Sequence, residues 1–139
     1  MTTANWVFAA LLVLQGHFAA SYLVPLDGEA QEEFGGLLAW LWPWSDGDGG
    51  LMGQLAVGGD LPLAGLFLAM TSATLFVCGA LAAVEIGVPF GWWRFLAGGG
   101  AVLSLTLMAG FFGATKLLPM ILAVAVLWAV ATNWLQPPG

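Results

Sequence analysis

His17 and Cys78 are the only imidazole and the only thiol among 139 residues, so chemistry that needs two such ligands, or a nucleophile with its base, has little to draw on. A lone imidazole can still do one thing well. Its neutral nitrogen suits haem iron or chlorophyll magnesium as an axial ligand. One histidine cannot fill both axial positions of a b-type haem, whereas a pigment needs only one. The alternative, and the preferred reading, makes His17 a packing residue bonded to another helix or placed near an interface. Ser21 lies four residues on and shares its helical face, while Gln15 points nearly opposite. Cys78 reads as a small packing residue.

The other polar constellations are thin. Glu85 and Arg94 flank a short turn between apolar blocks. They could serve a proton or ion path, but an ion pair across the hairpin is the simpler reading, and such pairs contribute little. Asp46-Gly47-Asp48-Gly49 has the spacing that opens a calcium loop, yet the twelfth position, which should be Glu, is Val57. No Ser-His-Asp set, Cys-His set or metal cluster is present, and Gly98-Gly99-Gly100 lacks the Lys or Ser/Thr context of a phosphate loop. No enzymatic activity is expected, and no cofactor can be assigned beyond what His17 could hold.

The elements that would position these residues are set by composition. Arg94 and Lys116 are the only basic side chains, and charged residues make up 7% of the chain. A soluble domain carries about a quarter. The chain therefore reads as an integral membrane protein of one domain, 1–139, without a basic patch for nucleic acid. Four apolar blocks, about 6–24, 62–84, 94–114 and 117–135, each come near the ~20 residues that span a hydrocarbon core of about 30 Å. In lipid the backbone must satisfy itself, so the blocks are helices. The expected fold class is all-α, an integral membrane four-helix bundle. The first block lacks the charged leader of a signal peptide and is read as a retained helix.

Seven of the eight acids fall in the long segment 26–60. Ala30, Phe34, Leu37, Leu38 and Leu41 recur there at helical spacing, behind Glu29, Glu32 and Glu33 in what would be a first turn. This predicts a short interfacial helix over 29–42. Trp40, Trp42 and Trp44 beyond it, and Trp92, Trp93 and Arg94 before the third span, read as interfacial anchors. Four spans place both termini on one face. An acidic loop without a basic residue crosses easily, so the termini are expected on the cytoplasmic side.

Small residues supply the remaining signal. Gly100, Ser104, Thr106 and Gly110 on the third span, Ala125, Ala129 and Asn133 on the fourth, and Gly65, Ala69 and Ala73 on the second fall at intervals that let helix backbones approach. No internal repeat links the two halves, which weakens a repeat-built transporter. The expected role is a small accessory or scaffold subunit of a larger respiratory, photosynthetic or transport assembly, with other membrane subunits and the bilayer as partners. Two alternatives remain. One is a subunit holding pigment, haem or quinone at His17. The other is a channel or transporter component lined by Gln15, His17, Thr71, Ser72, Thr74, Ser104 and Thr106.

Overall fold

A computed structural model describes residues 1–23, 40–43, 63–111 and 116–137. Four α-helices account for most of them, with no strand among the described residues: α1 Thr3–Ala20, α2 Leu63–Ala83, α3 Trp93–Gly110 and α4 Leu117–Ala131. The acidic segment, Trp44 and all but the end of the helix expected over 29–42 lie outside the described residues; Trp40 and Leu41, at that end, are helical.

Local chemistry explains where the helices begin and end. α1 starts three residues earlier than hydropathy suggests because Thr2 caps it. The Thr2 Oγ1 accepts from the Asn5 backbone N–H at 3.3 Å and donates to Asn5 Oδ1. At its far end the Ser21 hydroxyl donates to Phe18 O at 2.8 Å, and the chain tightens into a 3₁₀ turn over Ser21–Leu23.

α2 and α4 stop in the same way. Glu85 N–H donates to Ala82 O and Ile86 N–H to Leu81 O, with Glu85 at φ 54°. Asn133 N–H donates to Val130 O and Trp134 N–H to Ala129 O, with Asn133 at φ 49°. Both are left-handed caps that satisfy the last carbonyls of a helix. Asparagine is at home there; glutamate is not. The cap makes α4 only 15 residues long, about 23 Å, instead of reaching position 135.

Each helix carries a seam of buried residues at steps of three or four, alternating on all but the last step of α4. On α1 these are Asn5, Phe8, Leu12, Gln15, Ala19 and Tyr22. On α2 they are Gly65, Ala69, Ser72, Phe76, Gly79 and Ala83. On α3 they are Trp93, Ala97, Gly100, Ser104, Leu107 and Phe111, and on α4 Pro119, Ala123, Val126 and Ala129. An average of 3.5 residues keeps a seam facing its neighbour when helices cross at about 20°.

α2 packs along α1 on one side and α3 on the other, while α4 lies on α3 and touches α1 only lightly. Neighbours run antiparallel. Gly79 lies against Leu12 and Ala97, whereas Gly65, at the other end of α2, lies against Tyr22 and Phe111. Asn5 ties the first of these ends together. Its Nδ2 donates to Ala83 O at 2.9 Å and, more weakly, to Gln136 O at 3.5 Å. Phe8 sets its ring edge-on to Trp93 and Trp134 there. The start of α1 and the exit of α4 therefore share one end of the bundle.

Two helical stretches, Thr3–Leu23 and Ala64–Ala83, are long and apolar enough to cross a bilayer. α4 is apolar but short. α3 begins with Arg94 in its first turn and carries Ser104 and Thr106, which dilute its apolar character.

Candidate functional site

His17, on the outer part of α1, is half-buried and already engaged. Its Nε2 lies 2.9 Å from Leu41 O, and its ring stands edge-on to Trp42 at 5.2 Å. A carbonyl only accepts, so Nε2 carries the proton and donates. That nitrogen is thereby occupied, and the imidazole acts as a latch between α1 and the segment 40–43. Among the described residues no group of three His, Cys, Asp or Glu side chains could hold a metal ion. Cys78 is half-buried with a free thiol.

The interior polar groups are spread along the bundle. Gln15 is fully buried and its Nε2 donates to Pro119 O at 3.1 Å, one of few links between α1 and α4. The Gln15 Oε1 and the Ser104 hydroxyl have no hydrogen-bond partner among the described residues. Ser72 Oγ donates to Gly100 O at 3.0 Å, joining α2 to α3. Lys116 is fully buried at the start of α4 and engaged there.

The stripe of small residues divides between faces. Gly100 is pressed on by the Phe76 ring, 3.1 Å from where a Cβ would stand, and Ser104 is buried in the same seam. Thr106 is exposed, its hydroxyl turned back on Val102 O at 2.9 Å, and Gly110 is half-buried. Six residues turn a helix by about 240°, so Gly100 and Thr106 cannot share one contact line. On α4, Ala129 is buried but Ala125 is exposed; the packed positions are Ala123 and Val126. Ala73 is half-buried, its carbonyl 3.5 Å from the Cβ position of Gly16. Among the glycines whose surroundings are described, the closest backbone approach belongs to Gly79, a residue outside the predicted stripe. A Cβ there would be 3.2 Å from the backbone nitrogen of Ala97. Its spacing from Ala69, Ser72 and Phe76 was the available signal.

The paired tryptophans also separate. Trp92 is 59% exposed, whereas Trp93 is 1% exposed and belongs to the core with Phe8 and Ala97. Adjacent residues on a helix differ by about 100°, which turns one ring out and the other in. Trp93 is thus a core residue rather than an interfacial anchor. Trp40 is exposed and Trp42 half-buried against His17. Glu85 and Arg94 are both exposed and form no ion pair with each other, in place of the pair expected across the hairpin.

The outer surface is apolar along the helices. Val7, Val13, Phe67, Met70, Val77, Phe95, Val102, Ile121, Val124 and Trp128 are exposed, while Asn5, Gln15, Ser72 and Ser104 are buried. Thr74, Thr106 and Thr132 do face outward, but each hydroxyl donates to the carbonyl four residues back, so none presents a free donor. One apolar groove of about 660 Å³ runs over Leu66, Phe67, Met70 and Leu75 of α2, and a cleft of about 490 Å³ opens at the α2–α3 hairpin between Pro89, Gly91, Trp92 and Phe95. No protein-family model, no curated protein and no solved structure matches this chain.

Proposed function

We propose that the chain is a multi-pass membrane protein whose four helices all cross the bilayer, and that it works as an accessory or scaffold subunit within a larger membrane assembly. The observation that carries the membrane reading is an outer helix surface as apolar as the core, with several polar side chains turned inward. Large apolar side chains such as Phe67, Phe95 and Trp128 are exposed, while asparagine, glutamine, serine and lysine are buried. In water so many large exposed apolar side chains would be an association liability. In lipid it needs no explanation, and outward hydroxyls must bond their own helix, as Thr74 and Thr106 do.

The scaffold reading rests on what the interior offers. Its seams are filled by small residues and aromatic rings, and its polar groups occur singly. The one imidazole spends Nε2 on a backbone carbonyl, which disfavours the cofactor alternative. α4, at 15 residues, is the shortest of the four helices; the turn after it, with Trp134 exposed, would complete the crossing at the interface. The termini would lie on the cytoplasmic face.

Cysteine labelling at positions 2 and 138, in a Cys78→Ser background, tests the threading in sealed vesicles. Labels on the same face are expected, and labels on opposite faces would end the four-span reading. Native gels of mild-detergent extracts test the role. The chain should migrate within a larger assembly, and migration as a lone subunit would remove the scaffold reading.

A further inference from the structure

The strongest unassigned feature is at the α2–α3 hairpin. Pro89, Gly91, Trp92 and Phe95 line a cleft of about 490 Å³. Trp92 is 59% and Phe95 77% exposed, the latter the most exposed large apolar side chain described. Arg94 stands between these two rings in sequence, in the first turn of α3, and is exposed without an ion pair to Glu85. The chain has only two basic side chains, and the other, Lys116, is fully buried. Its one exposed basic side chain therefore lies, in sequence, between two residues that line an apolar cleft, one of them an outward tryptophan.

The geometry points to this cleft as a binding site for an anionic phospholipid, with an acyl chain against Trp92 and Phe95 and the phosphate on the Arg94 guanidinium. This rests on the membrane reading above. The occupant should be amphiphilic, because the cleft offers apolar contact and Arg94, next in sequence to Phe95 of its lining, offers an exposed positive charge within reach of a long side chain. A guanidinium fork matches two phosphate oxygens at once. An indole at that level fits the interfacial zone, where headgroup and chain meet. A zwitterionic headgroup carries its own cation, which competes with Arg94 for the phosphate. A headgroup bearing only negative charge leaves the phosphate to the protein.

The test uses the full chain reconstituted in phosphatidylcholine vesicles containing a minor share of phosphatidylglycerol, followed by detergent extraction and native mass spectrometry of retained lipid. Wild type should retain phosphatidylglycerol over phosphatidylcholine by roughly two- to fivefold relative to the input ratio, the range an exposed charge pair supports. The preference should shrink at high salt. Arg94→Gln should abolish the preference while leaving the helical circular dichroism unchanged. Trp92→Ala should lower total lipid retained and keep the preference for phosphatidylglycerol. Equal retention of the two lipids by wild type, or an undiminished preference in Arg94→Gln, overturns the site. Failure of wild type to float with vesicles of either composition overturns the membrane reading instead, so the two failures are told apart.

Discussion

Replacing Gly79 with alanine should destabilise the bundle, while the same replacement at Gly98 should stabilise it. Both glycines lie in helix interiors, so both substitutions gain about 0.5–1 kcal/mol of helix propensity. They differ in what the new methyl meets. At Gly98 the nearest atom is a Val130 methyl at 3.5 Å, an ordinary contact. At Gly79 the methyl would stand 3.2 Å from the backbone nitrogen of Ala97 and 3.4 Å from Leu12 Cδ1 and Leu96 Cβ. A side chain can rotate away, but the Ala97 nitrogen moves only if α3 moves. Overpacking of this kind costs about 1–3 kcal/mol, which exceeds the propensity gain. The two variants should therefore differ by about 1–3 kcal/mol, with Gly98→Ala above wild type and Gly79→Ala at or below it. Reversible unfolding in mixed micelles with a rising sulfate-detergent fraction, followed by circular dichroism, measures this. Equal stability of the two variants would falsify the claim that α2 and α3 meet backbone to backbone at Gly79.

Three further outcomes are expected. Gly100→Leu should disrupt packing against the buried Phe76 ring and cost several kcal/mol, whereas Thr106→Leu, on the exposed face of α3, should leave unfolding within about 1 kcal/mol of wild type; comparable damage from both would restore the single-stripe picture. Glu85→Gly should stabilise the chain by about 1 kcal/mol, because Glu85 holds φ 54° where glycine has no Cβ penalty, and an unchanged or lower stability would argue against the left-handed cap. His17→Ala should free the segment 40–43, seen as increased mobility of a nitroxide at position 41, while His17→Gln, which can still donate to the Leu41 carbonyl, should retain part of the restraint; identical spectra for wild type and His17→Ala would remove the latch.

What the sequence alone could decide came from averages over many residues. The scarcity of charge, the length of the apolar blocks and the need of a helix for internal hydrogen bonds required an all-helical chain, and four helices occupy the expected stretches of the described residues. Boundaries that depend on one residue were partly legible. Thr2 is a recognisable N-cap, but nothing in sequence marks Glu85, a residue that avoids positive φ, as the left-handed end of α2.

Facing was not legible where apolar residues surround a helix on every side, because hydropathy then carries no rotational signal. Trp92 and Trp93 are chemically identical neighbours, yet only the packing of Phe8 against α3 turns Trp93 inward. Gly100 and Thr106 are both small, yet only the approach of Phe76 selects the first. Ala125 and Ala129 share a spacing, and the seam on α3 takes the second together with Ala123 and Val126. His17 is read from sequence as a packing contact in preference to a ligand, and the partner it meets, a carbonyl 24 residues away, is visible only in the structure. In each case the sequence set the type of contact available, while the positions of neighbouring helices, fixed by the 3.5-residue seams meeting one another, decided which residue made it.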